Sequence, residues 1–314
     1  MQRLFKVWFM GESLQLSGRM ASWQVRDKTS VVDVQEVEFR VSSQWGQDGI
    51  IDWLIERAQV PSAARTFIEF GVEDYRQSNT RFLLQNRNWR GLILDGDPAI
   101  VNAVKSDGLA WRYDLTAQAA FITRDNINGL ISDAGFSGEI GLLSIDIDGN
   151  DYWVWEALHV VRPILIICEY NAVFGDLHSI STPYDEHFSR TKAHTSNLYF
   201  GASIAALCSL AAKRGYRFVG TNSAGNDAFF VREDYASRFV GGSIKRVTSV
   251  PSRFRESRDD KGLNNYIGGL ERLRQVSALS VINVETGDMV AIRDLETVYS
   301  DEWSVAMSGG TSLP

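Results

Sequence analysis

The sequence predicts an α/β fold around a seven-stranded, mostly parallel sheet, and three observations predict it. First, four short apolar runs each end in an acid: FIEFG (Phe67 to Gly71), LILDGD (Leu92 to Asp97), LLSIDIDG (Leu142 to Gly149) and LIICEYN (Leu165 to Asn171). Continuous Ile, Leu, Val and Phe without alternation suits strands buried on both faces, as in a parallel sheet covered by helices. Second, the segments between these runs carry apolar residues at helical spacing, which makes a βαβ series with right-handed crossovers. Third, the last two β-like runs, GYRFVGT and DAFFVRE, are joined by NSAGN (residues 222–226), a link short enough only for an antiparallel hairpin.

In order along the chain, residues 1–42 read as an N-terminal arm, in which VVDVQEVEFRV alternates like a half-exposed strand pair. SQWGQDG (residues 43–49) reads as a turn and cap before a helix over 50–58. Strands are expected near 65–70, 91–95, 109–113, 142–147, 164–169, 216–221 and 227–232, with helices near 78–88, 98–106, 117–134, 151–159 and 202–214. Residues 43–240 thus form one domain, and six strands in a parallel run with an antiparallel hairpin partner describe the Rossmann-like class I methyltransferase fold. Residues 172–200 are too long for an ordinary connection and hold His178, His187 and His194, so they are a candidate lid. Residues 241–314 are a C-terminal extension, with a basic piece PSRFRESRDDKG, a β-like run LSVINVETGDMVAIRDL and a frayed tail SGGTSLP. That extension is a candidate acceptor-binding or oligomerisation element, and a homo-oligomer is an open expectation.

Bulk properties narrow the function. A net charge of −7 and a pI near 5.2 argue against a general nucleic-acid binder, whose affinity rests on a basic surface. Cys168 and Cys208 lie in apolar contexts without a CxxC or Cys/His cluster, so they read as buried thiols in a reducing, cytoplasmic protein. At the N-terminus Lys6 interrupts the apolar stretch and no small-residue cleavage site follows. No run of about 20 apolar residues is present to span a membrane.

The strand-end acids define the candidate site, because ligands of open α/β sheets bind at the C-terminal ends of the strands. A nucleoside ligand needs a close backbone approach after the first strand and an acid at the end of the second, and Gly71 and Asp95 meet both needs. The run VEDYRQSN after Gly71 contains no second Gly, so a pyrophosphate lacks its cradle. This turns the reading from NAD toward a nucleoside without phosphates, and S-adenosylmethionine fits. Glu69 and Gly71 would then face its methionyl and sulfonium end and Asp95 its ribose. Asp114, closing the expected third strand, would lie near adenine, while Ser78 and Asn79 complete the cofactor set. A strand-end acid also serves to cap a neighbouring helix.

These runs, with NLYFGASIAAL and RFRESRD, resemble the FkbM-type branch of S-adenosylmethionine-dependent methyltransferases over roughly residues 43–240. The resemblance implies that Glu69 and Gly71 match the first cofactor motif, Asp95 the ribose acid, and Asp146 and Asp148 the acids of the fourth strand. It also implies that SQWGQDG closes over the cofactor, making Gln44, Gln47 and Asp48 secondary candidates. One departure is Asp95-Gly96 in place of the more usual Glu-Pro, which shortens the ribose acid.

Methyl transfer to an alcohol requires alignment of the acceptor and removal of its proton. Asp146, Glu169 and Asn171 offer hard oxygen ligands suited to Mg²⁺, which eases ionisation of a bound hydroxyl. Similar acids occur in metal-dependent sugar O-methyltransferases of this fold. The alternative role for Asp146 and Asp148 is to organise the following helix. His194 is the candidate base, then His178 or His187, with Asp148 serving where no metal binds. Arg253, Arg255 and Arg258 are candidates for binding a phosphate or carboxylate on the acceptor. Tyr170, with Tyr152, Trp153, Trp155 and Tyr199, could wall a sugar ring. The expected activity is O-methylation of a sugar hydroxyl or sugar-bearing metabolite, in surface polysaccharide or secondary metabolism. The alternatives are an NAD-linked oxidoreductase, which shares the strand series and Asp95, and a non-catalytic methyltransferase-like binding module.

Overall fold

The four acid-tipped apolar runs form the middle of one sheet. The computed structural model describes residues 2–308, so the tail at 309–314 lies outside the described residues. The chain runs α1 (Gln2–Asp27), α2 (Gln47–Ala58), β1 (Thr66–Phe70), α3 (Arg81–Arg87), β2 (Arg90–Asp95), α4 (Pro98–Ser106), β3 (Leu115–Ala119), α5 (Ile127–Asp133) and β4 (Gly138–Ile145). It continues with α6 (Asp151–Ala157), β5 (Val161–Glu169), β6 (Ile180–Ser181), α7 (Arg190–Ala193), α8 (Ile204–Lys213), β7 (Tyr216–Thr221), β8 (Asp227–Arg232) and α9 (Glu233–Ala236). The extension holds α10 (Leu270–Val276), β9 (Ser280–Asn283), β10 (Met289–Ala291) and α11 (Asp301–Ser308).

The sheet order is β3-β2-β1-β4-β5-β8-β7. Pairs from β3 through β5 are parallel, and β8 is antiparallel to both β5 and β7. This is the expected seven-stranded Rossmann-like sheet, with its order reversing between β1 and β4, where a ligand crevice opens. Successive β1 residues enter opposite cores. Phe67 packs with Ile93, Leu142 and Phe229 on one face, and Ile68 with Leu92, Leu143 and Ile166 on the other.

Three expectations are corrected. The third strand lies at 115–119 rather than 109–113, and it takes the start of the expected 117–134 helix, leaving only Ile127–Asp133 helical. In the expected strand Leu109 is buried but Trp111 is 76% exposed, so the apolar letters there do not share one environment. LTAQA has weak strand propensity yet pairs with β2 along the edge, where pairing outweighs composition. Residues 31–41 form no strand pair. Asp33 accepts a bond from the Gln35 N–H and starts a 3₁₀ turn that buries Val34 and Val37 three residues apart. The arm before it is mainly α1, fastened by Asp52, which accepts from Ser22 Oγ at 2.6 Å and pairs with Arg26 at 3.2 Å and Arg87 at 2.7 Å.

The 172–200 segment is tied down at one end. Its β6 joins β9 and β10 in a second sheet of order β10-β9-β6, over a small core of Val173, Phe174, Ile180, Leu198, Val276 and Val281. The candidate lid and the C-terminal extension therefore fold together. No helix among the described residues is long and apolar enough to cross a membrane.

Candidate active site

A cavity of about 600 Å³ opens at the C-terminal ends of β1, β2, β4 and β5, under residues 188–191 and beside residues 254–258. Six acids (Glu73, Asp95, Asp146, Asp148, Glu169 and Glu256) and two arginines (Arg190 and Arg258) line it, so its field is negative and favours a cationic ligand.

The first wall is built by Gly71. Its N–H bonds the Leu94 carbonyl at 3.0 Å and its φ is +69°, and a Cβ there would lie 1.6 Å from the Asp146 carbonyl oxygen. Only glycine lets the β1 and β4 loops meet this closely. Asp95, 8% exposed, closes β2 against the same loop: Oδ2 accepts from the Val72 and Glu73 N–H groups, both at 3.1 Å, and Oδ1 from the Asp97 N–H at 2.9 Å. Asp97 then caps α4 through the Ala99 N–H. Three of roughly four acceptor directions on the Asp95 carboxylate are thus taken, leaving one free on a residue that lines the cavity.

Glu69 is turned inward rather than onto the cavity wall. It accepts from Ser78 Oγ at 2.6 Å, the Asn79 N–H at 2.8 Å and the Thr80 N–H at 3.2 Å, and burial raises its pKa. Ser78 and Asn79 therefore brace the loop after β1 through Glu69; the Asn79 side chain itself donates to Ser144 Oγ. Gln44 lines the cavity beside Trp45. Gln47 instead bonds Asp227, and Asp48 Oδ2 accepts the N–H groups of Val41, Ser42 and Ser43 at 2.7–2.8 Å, so these two shape the loop from behind. Asp114 is corrected: it precedes β3, at the opposite rim, exposed and 3.8 Å from Arg90.

At the ends of β4 and β5, carboxylate oxygens of Asp146, Asp148 and Glu169 lie within 4.8 Å of one another. Burial, then mutual repulsion, raises the pKa values of Asp146 and Glu169 well above the carboxylate range. Glu169 is 7% exposed, and its Oε2 has no hydrogen-bond partner. Asn171 does not join this group. Its Nδ2 donates to the Leu198 and Phe200 carbonyls, both at 2.9 Å, and its Oδ1 accepts the Val173 N–H, so Asp148 takes the expected third position. The helix-organising role falls to Asp151, which accepts from the Ile147 and Gly149 N–H groups at 2.8 and 3.0 Å and has its pKa pushed by burial to about 6.

The three histidines are also corrected, since none lines the cavity. His178 Nε2 lies 2.6 Å from the Thr297 carbonyl, His194 Nδ1 lies 2.7 Å from Ser196 Oγ, and His187 is exposed. The same segment instead delivers Phe188, packed on Gly149, and Arg190, 2.6 Å from Asp148. Of the extension arginines, Arg258 lines the cavity, with its buried Nε unpartnered, while Arg253 and Arg255 are exposed away from it. Tyr170 is 1% exposed, donates to the Val250 carbonyl at 2.5 Å, and belongs to the core with Tyr152 and Trp155. The aromatic wall comes from Trp45, Phe121, Phe188 and Phe254, with the Trp45 and Phe254 rings stacked at 6.1 Å and 18°.

Sheet order and the position of the cavity define a Rossmann-like fold of the class I methyltransferase type. No family model matches the chain, and no curated protein matches it. Similar solved structures include an O-methyltransferase from Bacillus cereus in complex with S-adenosylhomocysteine (SAH), at 16% identity over 68% of this chain and 89% of that one, with a TM-score of 0.40. The N-terminal domain of EvdMO1 with SAH bound is 11% identical over 59% and 79% of the chains, with a TM-score of 0.39. The CurJ carbon methyltransferase is 10% identical over 63% and 56%, also with a TM-score of 0.39.

Proposed function

We propose that the protein is an S-adenosylmethionine-dependent O-methyltransferase acting on a hydroxyl of a sugar or sugar-bearing metabolite. The observation that carries this reading is the meeting of Gly71, Asp95 and the Asp146–Asp148–Glu169 group around one negative cavity at the sheet's switch point. The FkbM-type resemblance of residues 43–240 agrees with it. S-adenosylmethionine would supply a methyl carbon activated by a cationic sulfur, which the acid-rich wall attracts. Gly71 makes room at the β1–β4 junction, Asp95 offers its free acceptor direction to a ribose hydroxyl, and Phe121 and Ile122 offer an apolar wall for the base.

On the acceptor side, Trp45 and Phe254 present ring faces suited to a sugar, while Phe188 covers the Gly149 loop. The acceptor proton falls to the carboxylates, since no histidine lines the cavity. Glu169, with its unpartnered Oε2 on the cavity wall, is the best-placed acceptor, aided by Asp146. The same oxygens, with Asp148, are a hard donor set suited to Mg²⁺, which would lower the pKa of a bound hydroxyl.

Methyl transfer from labelled S-adenosylmethionine to nucleotide sugars and glycan termini tests the function. Wild-type protein should label one acceptor class, and Glu169→Gln should retain SAH binding while losing transfer. Full activity in chelator would remove the ion, and full activity of Glu169→Gln would remove Glu169 from the chemistry.

A further inference from the structure

The rim acids face a cation that the chain itself supplies. Arg190 Nη1 lies 2.6 Å from Asp148 Oδ1, Nη2 lies 3.5 Å from Glu256 Oε2, and Glu169 adds to the attraction. One guanidinium thus joins the 172–200 segment, the sheet rim and the C-terminal extension. Its place is set from its own segment: Nε donates to the Asn197 carbonyl at 2.7 Å, and the guanidinium carbon lies 3.9 Å from the Phe200 ring centre. Asp148 is held less firmly. Its φ is +56° and its side chain is 58% exposed, so the aspartate reaches toward a fixed arginine.

Asp148 therefore stands between two cationic positions. On its other side are Asp146 and Glu169, whose oxygens fall within 4.8 Å of its own, and Glu169 Oε2 is buried and unpartnered on the cavity wall. Three carboxylates and one guanidinium leave a formal charge of about −2, which suits a dication, but a dication and a guanidinium at adjoining oxygens repel strongly. We propose that Arg190 is an internal competitor for a divalent-ion site formed by Asp146, Asp148 and Glu169. Ion occupancy takes Asp148 from Arg190 and loosens the seam between the covering segment, the rim and Glu256. The inference rests on the ion reading of this acid group and adds the residue that restrains its affinity and couples it to the cover.

The experiment uses the full chain, with Mn²⁺ as the probe. Calorimetric titration of wild type, Arg190→Gln, Arg190→Lys and Glu169→Gln is paired with amide exchange across residues 184–200. Arg190→Gln should bind Mn²⁺ about tenfold more tightly, through loss of a neighbouring positive charge. Mn²⁺ should speed exchange in wild type, whereas Arg190→Gln should exchange fast with or without it. Arg190→Lys keeps the charge but lacks the fork, and it should fall between the two. Binding by Arg190→Gln alone would also support competition. Wild-type binding that Glu169→Gln abolishes but Arg190→Gln and Arg190→Lys leave unchanged would overturn the competition and keep the ion site, as would unaltered exchange. No Mn²⁺ binding by wild type or either Arg190 variant would overturn the ion site and the competition together.

Discussion

Replacing Asp95 with Asn separates a ligand-binding role from a structural one. The carboxylate already accepts three backbone N–H groups, from Val72, Glu73 and Asp97, and one acceptor direction remains for a ribose hydroxyl. A hydrogen bond to a charged group contributes about 1.5–3 kcal/mol, so its loss should raise the dissociation constant for SAH by about 10- to 150-fold. The new amide also meets one or two backbone donors, at a cost of about 1–3 kcal/mol in stability. Calorimetric titration with SAH, run well below each variant's melting temperature, reads the first effect, and thermal unfolding reads the second. Asp95→Ala removes the misplaced amide donor and should show the same loss of affinity. A variant with lowered stability but wild-type affinity would refute the ribose assignment and leave Asp95 as a brace for the β1 loop.

Gly71→Ala puts a Cβ against the Asp146 carbonyl at a positive φ, so it should destabilise the fold by several kcal/mol and abolish SAH binding; denaturant unfolding and titration read both effects. Asp227 is buried with Oδ1 unpartnered, and burial pushes its pKa to about 6. Its folded pKa lies above its unfolded one, so its contribution to stability declines as pH rises from about 4 to about 6 and is level above. Asp227→Asn should remove this decline, worth about 3 kcal/mol, and pH-dependent denaturation checks it. Asp52→Ala leaves Arg26 and Arg87 without their buried partner, so it should cost about 3 kcal/mol and speed amide exchange in α1.

The sheet was legible because doubly buried strands must be continuously apolar. The run ending at Glu169 and the hairpin at 216–232 could hardly be anything else. The edge strand at 115–119 was not legible, because LTAQA is chosen by its pairing with β2 rather than by its own propensity. The same contrast divides the site. Gly71, Asp95, Asp146 and Glu169 could be read from their places at strand ends. The histidines misled because a loop's composition does not say which of its residues faces inward. Arg190 carried one usable signal: it is the sole arginine in residues 172–200, opposite a rim rich in acids. Trp45 and Phe254, distant in sequence, meet only through the folded extension, and no local pattern marks them.

The central claim is that the rim cavity binds a sulfonium nucleoside, and equilibrium titration of the wild-type chain with SAH and, separately, with NADH tests it most directly. The account predicts saturable one-to-one binding of SAH, with a thermal shift, and no binding of NADH. Saturable NADH binding with no heat from SAH would contradict it.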